Sequence, residues 1–135
     1  MWKRVLSASG IIFSMPRKHD REWFEEGIAL FNAGRFFESH EAWEEIWKHA
    51  HDEDKRFYQG LIQAAVAILH AQRGNREGAS KLYAKASEKL DGFPDSHMGI
   101  AIAEFRRALE DFFAIALSAS DASVPAPPRL RRSPW

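Results

Sequence analysis

Residues 57–71, FYQGLIQAAVAILHA, constrain the fold more than any other stretch of the chain. They are apolar almost all the way round a helix, with only Gln59, Gln63 and His70 strongly polar. Such a helix needs neighbours on several sides, which places it at the centre of a bundle. Gly60, Ala64, Ala65, Ala67 and Ala71 are small enough to let those neighbours approach closely. Gln59 and Gln63 are one turn apart, and His70 lies two turns beyond Gln63. The polar groups therefore form a row, with Val66 and Ala67 in the gap.

The flanking sequence supplies the partners. A first helix is predicted from Asp20 or Arg21 to Ala33, with Trp23, Phe24, Ile28 and Phe31 as its apolar stripe. Asp20 is its N-cap and Gly34 its left-handed stop. A second helix follows at once, from Arg35 to Ala50, and pairs with the first as an antiparallel hairpin. Phe36, Phe37, His40, Trp43, Glu44 and Trp47 fall on its apolar face by the i, i+3, i+4, i+7 rule. Glu38, Glu41, Glu45 and Lys48 fall on the face toward water. The segment HAHDED, 49–54, reads as a solvated loop.

The central helix runs from Lys55 to Arg73, and Gly74 ends it. Asn75 caps a fourth helix reaching Leu90, and DGFPD at 91–95 is a break. A fifth helix spans Gly99 to Leu117, with Ile102, Phe105, Leu109, Phe112 and Ala116 inward. No segment alternates apolar and polar residues, so no strand is predicted. The fold class is all-α, a small bundle of about five helices. Two consecutive helical hairpins and a C-terminal helix build it. Gly34 and Gly74 open corresponding helices 40 residues apart, a faint repeat similar to tetratricopeptide units.

Residues 1–18 read as an N-terminal extension, 19–117 as the bundle domain, and 118–135 as a disordered tail rich in Ser, Pro and Arg. The tail's Arg129, Arg131 and Arg132 are a feature that an acidic partner could read. The first fifteen residues are too short and mixed for a signal peptide, and either Met1 or Met15 can serve as the native start. The 19 basic and 19 acidic residues cancel, which argues against nucleic-acid binding. The absence of cysteine excludes disulfides and thiolate ligands and makes the cytoplasm the simplest location. No run of 18 apolar residues exists, so no helical membrane span is expected.

Several of these motifs occur together in one known family. Phe31, Asn32 and Gly34 form a turn. His40, Glu41, Glu44 and Trp47 follow on one helix, then Gln59, Gly60, Leu61, Ile62 and Gln63, then His70, then Gly74, Asn75, Gly78 and Ala79. In this order they resemble the uncharacterised all-helical family known as domain of unknown function 309, over about residues 21–92. The resemblance implies a small helical bundle. It carries no settled activity, although a metal-dependent hydrolase has been suggested for the family.

Two readings of the polar residues stand side by side. A carboxylate among Phe and Trp rings is costly unless paired or bound. If the row His40–Glu44 faces the row Gln59–Gln63–His70, then His40, Glu44 and His70 can hold a divalent metal. Glu44 and Gln63 would then be the catalytic pair for a small-molecule substrate, with Gln59 and Trp47 as ligand contacts. The other reading is a satisfied hydrogen-bond network that only fixes helix register. Function would then lie in a tetratricopeptide-like interaction surface, with a homodimer as the expected assembly.

Overall fold

The computed structural model describes residues 18–118 and 124–133, so the expected N-terminal extension falls outside the described residues except for Lys18. Five helices carry the chain: α1 Asp20–Asn32, α2 Phe36–Trp47, α3 Asp52–Gln72, α4 Arg76–Leu90 and α5 Ile102–Ala116. The expected all-helical bundle of two hairpins and a C-terminal helix is what forms. Successive helices pack together, so that α3 lies between α2 and α4.

Local chemistry explains the boundaries. His19, not Asp20, caps α1, and its N–H donates to Glu22 Oε1 at 2.8 Å. Gly34 and Gly74 both adopt φ +81° just past α1 and α3. At the first, Arg35 N–H reaches back to Leu30 O at 2.9 Å; at the second, Asn75 N–H reaches His70 O at 2.8 Å. Both are Schellman stops, which need a residue in the left-handed region. The 40-residue repeat is thus a repeated helix terminator. Asn75 then caps α4, accepting from Gly78 N–H at 3.0 Å.

The core is aromatic and continuous. Phe31 meets the Phe36 ring edge-on at 4.9 Å and the Phe105 ring at 5.5 Å, tying α1 to α2 and α5. Phe24 packs on Phe57 and Tyr58 of α3. Tyr83 stacks on Phe113 at 4.5 Å and seats α5 against α4. The wholly buried residues of α3 are those that touch neighbours, including Leu61, Ala64, Ala65, Ala67 and Ile68.

Two expectations are corrected here. The chain has a short antiparallel hairpin, β1 Ser96–His97 with β2 Ile100–Ala101. Met98 and Gly99 between the strands both have positive φ, +52° and +76°, as a two-residue primed turn requires. Strands of two residues are too short to show alternation. The described part of the expected tail is also not disordered, whereas residues 119–123 and 134–135 lie outside the described residues. Residues 124–133 run extended over the body, with Leu130 only 3% exposed and Arg132 bridged to Ile100.

Candidate functional site

The geometry of α2 decides the fate of the predicted site. Its buried residues are Phe36, Ser39, Ala42, Trp43 and Ile46. The sequence stripe had merged two lines. The line 36–39–43–46 is buried, whereas 37–40–44–47 runs along the helix shoulder. Phe37 is 49% exposed. Ser39 is the polar residue at the centre, fully buried, and its hydroxyl donates to Gly27 O at 2.9 Å. Sequence patterning missed it because a small hydroxyl carries no apolar signal.

His40 and Glu44 lie on the shoulder. The His40 Nδ1 stands 2.8 Å from Phe37 O, so that nitrogen carries the proton and donates to the carbonyl. The other ring nitrogen is 3.6 Å from Glu44 Oε2, too long for a hydrogen bond. The Glu44 side chain is 50% exposed, so water relieves it of any need for a metal. The more enclosed acid is Glu45, at 12%, which pairs with Lys48 at 3.1 Å.

On α3 the row Gln59–Gln63–His70 follows the α4 side. Arg56 and Gly60 mark that side: Arg56 donates to the carbonyls of Glu88 and Lys89, and Gly60 abuts Leu90. Gln63 continues the line one turn beyond Gly60. His70 ends it beside the α4 cap, where the Asn75 amide donates to its Nδ1 at 3.1 Å. A neutral His70 therefore keeps its own proton on Nε2. Gln59 and Gln63 are half-buried, and Gln63 Oε1 is enclosed without a hydrogen-bond partner.

Trp47 packs at the end of α2 with the Lys55 ammonium 4.6 Å from its ring centre, a cation–π contact. Its indole nitrogen is also enclosed and unpartnered. Among the described residues no three His, Asp or Glu side chains are grouped as a metal set. His40, Glu44 and His70 are thus not brought together as a metal set. The 49–54 segment is solvated apart from half-buried Ala50, with His49 paired to Asp20 at 2.9 Å, but it is a loop only as far as His51, because Asp52, Glu53 and Asp54 form the first turn of α3.

Comparison with known proteins bears on the helical body. Residues 24–82 match the model of the family described as Domain of unknown function (DUF309). The matched stretch, from within α1 to within α4, is DUF309-like. An uncharacterised protein of Aquifex aeolicus (strain VF5) is 32% identical over 93 residues, 68% of this chain and 28% of that protein. The uncharacterised protein YpuF of Bacillus subtilis (strain 168) is 45% identical over 61 residues, 44% of this chain and 35% of that protein. The chain thus spans about a third of the length of the curated relatives it matches.

The structure gives several residues of the DUF309-like pattern a mechanical role. Gly34 and Gly74 are terminators, Asn75 is a cap, and Gly60 admits Leu90. No helix among the described residues is long and apolar enough to cross a membrane.

Proposed function

We propose that this chain is a helical-hairpin interaction module, acting in the cytoplasm, that pairs with a second copy of itself. The polar rows are structural on this reading and hold no metal. One observation carries it: one side of the central helix is less completely covered than the rest. Gln59, Ile62, Gln63, Val66, Leu69 and His70 are only half-buried, whereas Leu61, Ala64, Ala65 and Ile68 are sealed. An apolar strip on a helix flanked by α2 and α4 is a floor between two walls. Ile62, Val66 and Leu69 gain by being covered, at roughly 25 cal/mol per Å² of apolar surface. A two-fold partner offers the same strip in return, as an isologous interface requires. The balanced net charge leaves no overall repulsion between copies.

Solution mass measured over a wide concentration range tests this. The wild-type chain should approach twice its monomer mass, and Val66→Arg should stay monomeric with unchanged helical circular dichroism. A wild-type chain that is monomeric at every concentration overturns the reading. The metal alternative is tested separately with zinc and manganese. Stoichiometric uptake that disappears in His40→Ala and in His70→Ala would restore it.

A further inference from the structure

Residues 124–133 are held as a bound peptide is held. Asn32, the last residue of α1, reads the main chain of Leu130 in both directions. Its Oδ1 accepts from Leu130 N–H at 2.8 Å, and its Nδ2 donates to Leu130 O at 3.0 Å. The backbone carbonyl of Asn32 accepts from Arg129 Nη1 at 3.2 Å. The β1–β2 hairpin supplies the other edge. Ala101 N–H donates to Arg131 O at 3.0 Å, and Ser133 N–H donates to Gly99 O at 2.8 Å. Side chains alternate as they do on an added strand: Pro128 and Leu130 are buried, and Arg129 and Arg131 point outward. Outside the pocket, Arg131 pairs with Glu104 at 3.0 Å and Arg132 pairs with Glu25.

This is strand addition. Main-chain bonds supply affinity, and alternate side-chain pockets supply selectivity. The occupant, VPAPPRLRRS, is rich in proline and arginine and has no internal structure of its own to defend. It is separable from its receptor in sequence. Asn32 and Glu25 lie inside the DUF309-like segment, and the tail lies outside it. Only residues 119–123 tether the tail to the described end of the helical body.

We propose that the groove formed by the end of α1, the β1–β2 hairpin and the start of α5 is a binding site for an extended peptide. Its ligand class is a proline-led segment with one leucine anchor followed by arginines. The chain's own tail occupies the groove in cis. This proposal is independent of the strip on α3. A short tether holds the tail at an effective concentration on the order of millimolar. A competing peptide is therefore masked until the tail is loosened.

The test uses full-length chains and a fluorescent peptide of residues 124–133. A chain carrying Leu130→Asp lacks its own anchor and should bind the peptide at least tenfold more tightly than wild type. Adding Asn32→Ala to it should return binding to the level of a scrambled peptide. Should Leu130→Asp fail to fold, Arg131→Glu with Arg132→Glu opens the tail instead. Those two side chains are largely exposed, and the reversed charges face Glu104 and Glu25. A dimer that is abolished by Asn32→Ala but not by Val66→Arg would mean that a second copy's tail fills the groove, which also supports the site. A well-folded opened chain that binds the peptide no better than the scrambled control overturns the proposal. The tail would then be a fixed part of the fold. Failure here leaves association through α3 untouched, and the reverse holds too.

Discussion

At the residue scale, the clearest constraint is Gly27. A Cβ there would stand 2.2 Å from Trp43 Nε1, inside any permitted contact. Trp43 cannot yield easily, because it is fully buried and its indole N–H reaches Phe24 O at 3.3 Å. Gly27→Ala should therefore destabilise the chain by about 1–3 kcal/mol, the usual range for overpacking. Urea unfolding measures this, and an unchanged midpoint would show that the α1–α2 seam is loose. Gly60→Ala should cost less. Its Cβ would meet Leu90 Cδ2 at 2.8 Å, Leu90 Cγ at 2.9 Å and Lys89 Cβ at 3.1 Å, less severe approaches than at Gly27 but against a Leu90 that is itself fully buried. Gln63 has the opposite sign. Gln63→Leu removes an enclosed acceptor that lacks a partner in the monomer. Stability measured on the monomer should hold or rise by on the order of 1 kcal/mol. A marked loss would reveal an internal hydrogen bond to the side chain.

At the scale of elements, the two terminators separate backbone cost from packing cost. A Cβ at Gly34 or Gly74 meets nothing within 4 Å, so only the positive φ penalises a larger residue. Gly74→Ala should cost about 1 kcal/mol, and Gly74→Asn measurably less, because asparagine tolerates the left-handed region. Equal losses for the two variants would contradict this account. These stops were legible in the sequence because glycine after an apolar period has few other uses. Helix number, order and pairing were legible for the same reason, since period 3.6 repeats over many residues. The phase of α2 was not. Phe37 and Trp47 are large and pulled the apolar face toward the shoulder, whereas Ser39 marks its true centre. From that misplaced phase followed the sequestered His40–Glu44 pair, which in fact borders water. The β1–β2 hairpin was invisible because two residues cannot display a period. The docked tail was invisible because composition reports what a segment can build alone, not what another element offers it.

At the scale of the molecule, one group ties most of the layers together and makes stability depend on pH. Tyr58 on α3 packs against Phe24 of α1, and its hydroxyl donates to Met98 Sδ at 3.4 Å in the hairpin turn. Burial, reinforced by the Asp54 and Asp20 charges and opposed by Arg21, pushes its pKa from 10.0 up to about 12. Burial also raises Tyr83, with Glu110 adding to the effect. The folded chain thus keeps a proton that the unfolded chain releases above about pH 10. This contribution is complete below pH 10 and is lost as pH climbs from about 10 toward 12. Unfolding midpoints should fall steeply in that window. Tyr58→Phe cannot ionise and loses only a weak bond to sulfur, so it should match wild type at neutral pH and fall less steeply in alkali. The two proteins share every other titrating group, so the difference between their profiles isolates Tyr58. Parallel decline of the two proteins would mean that the α1–α3–hairpin junction admits water freely around Tyr58. The tail groove beside that junction would then rest on a softer support than its hydrogen bonds imply.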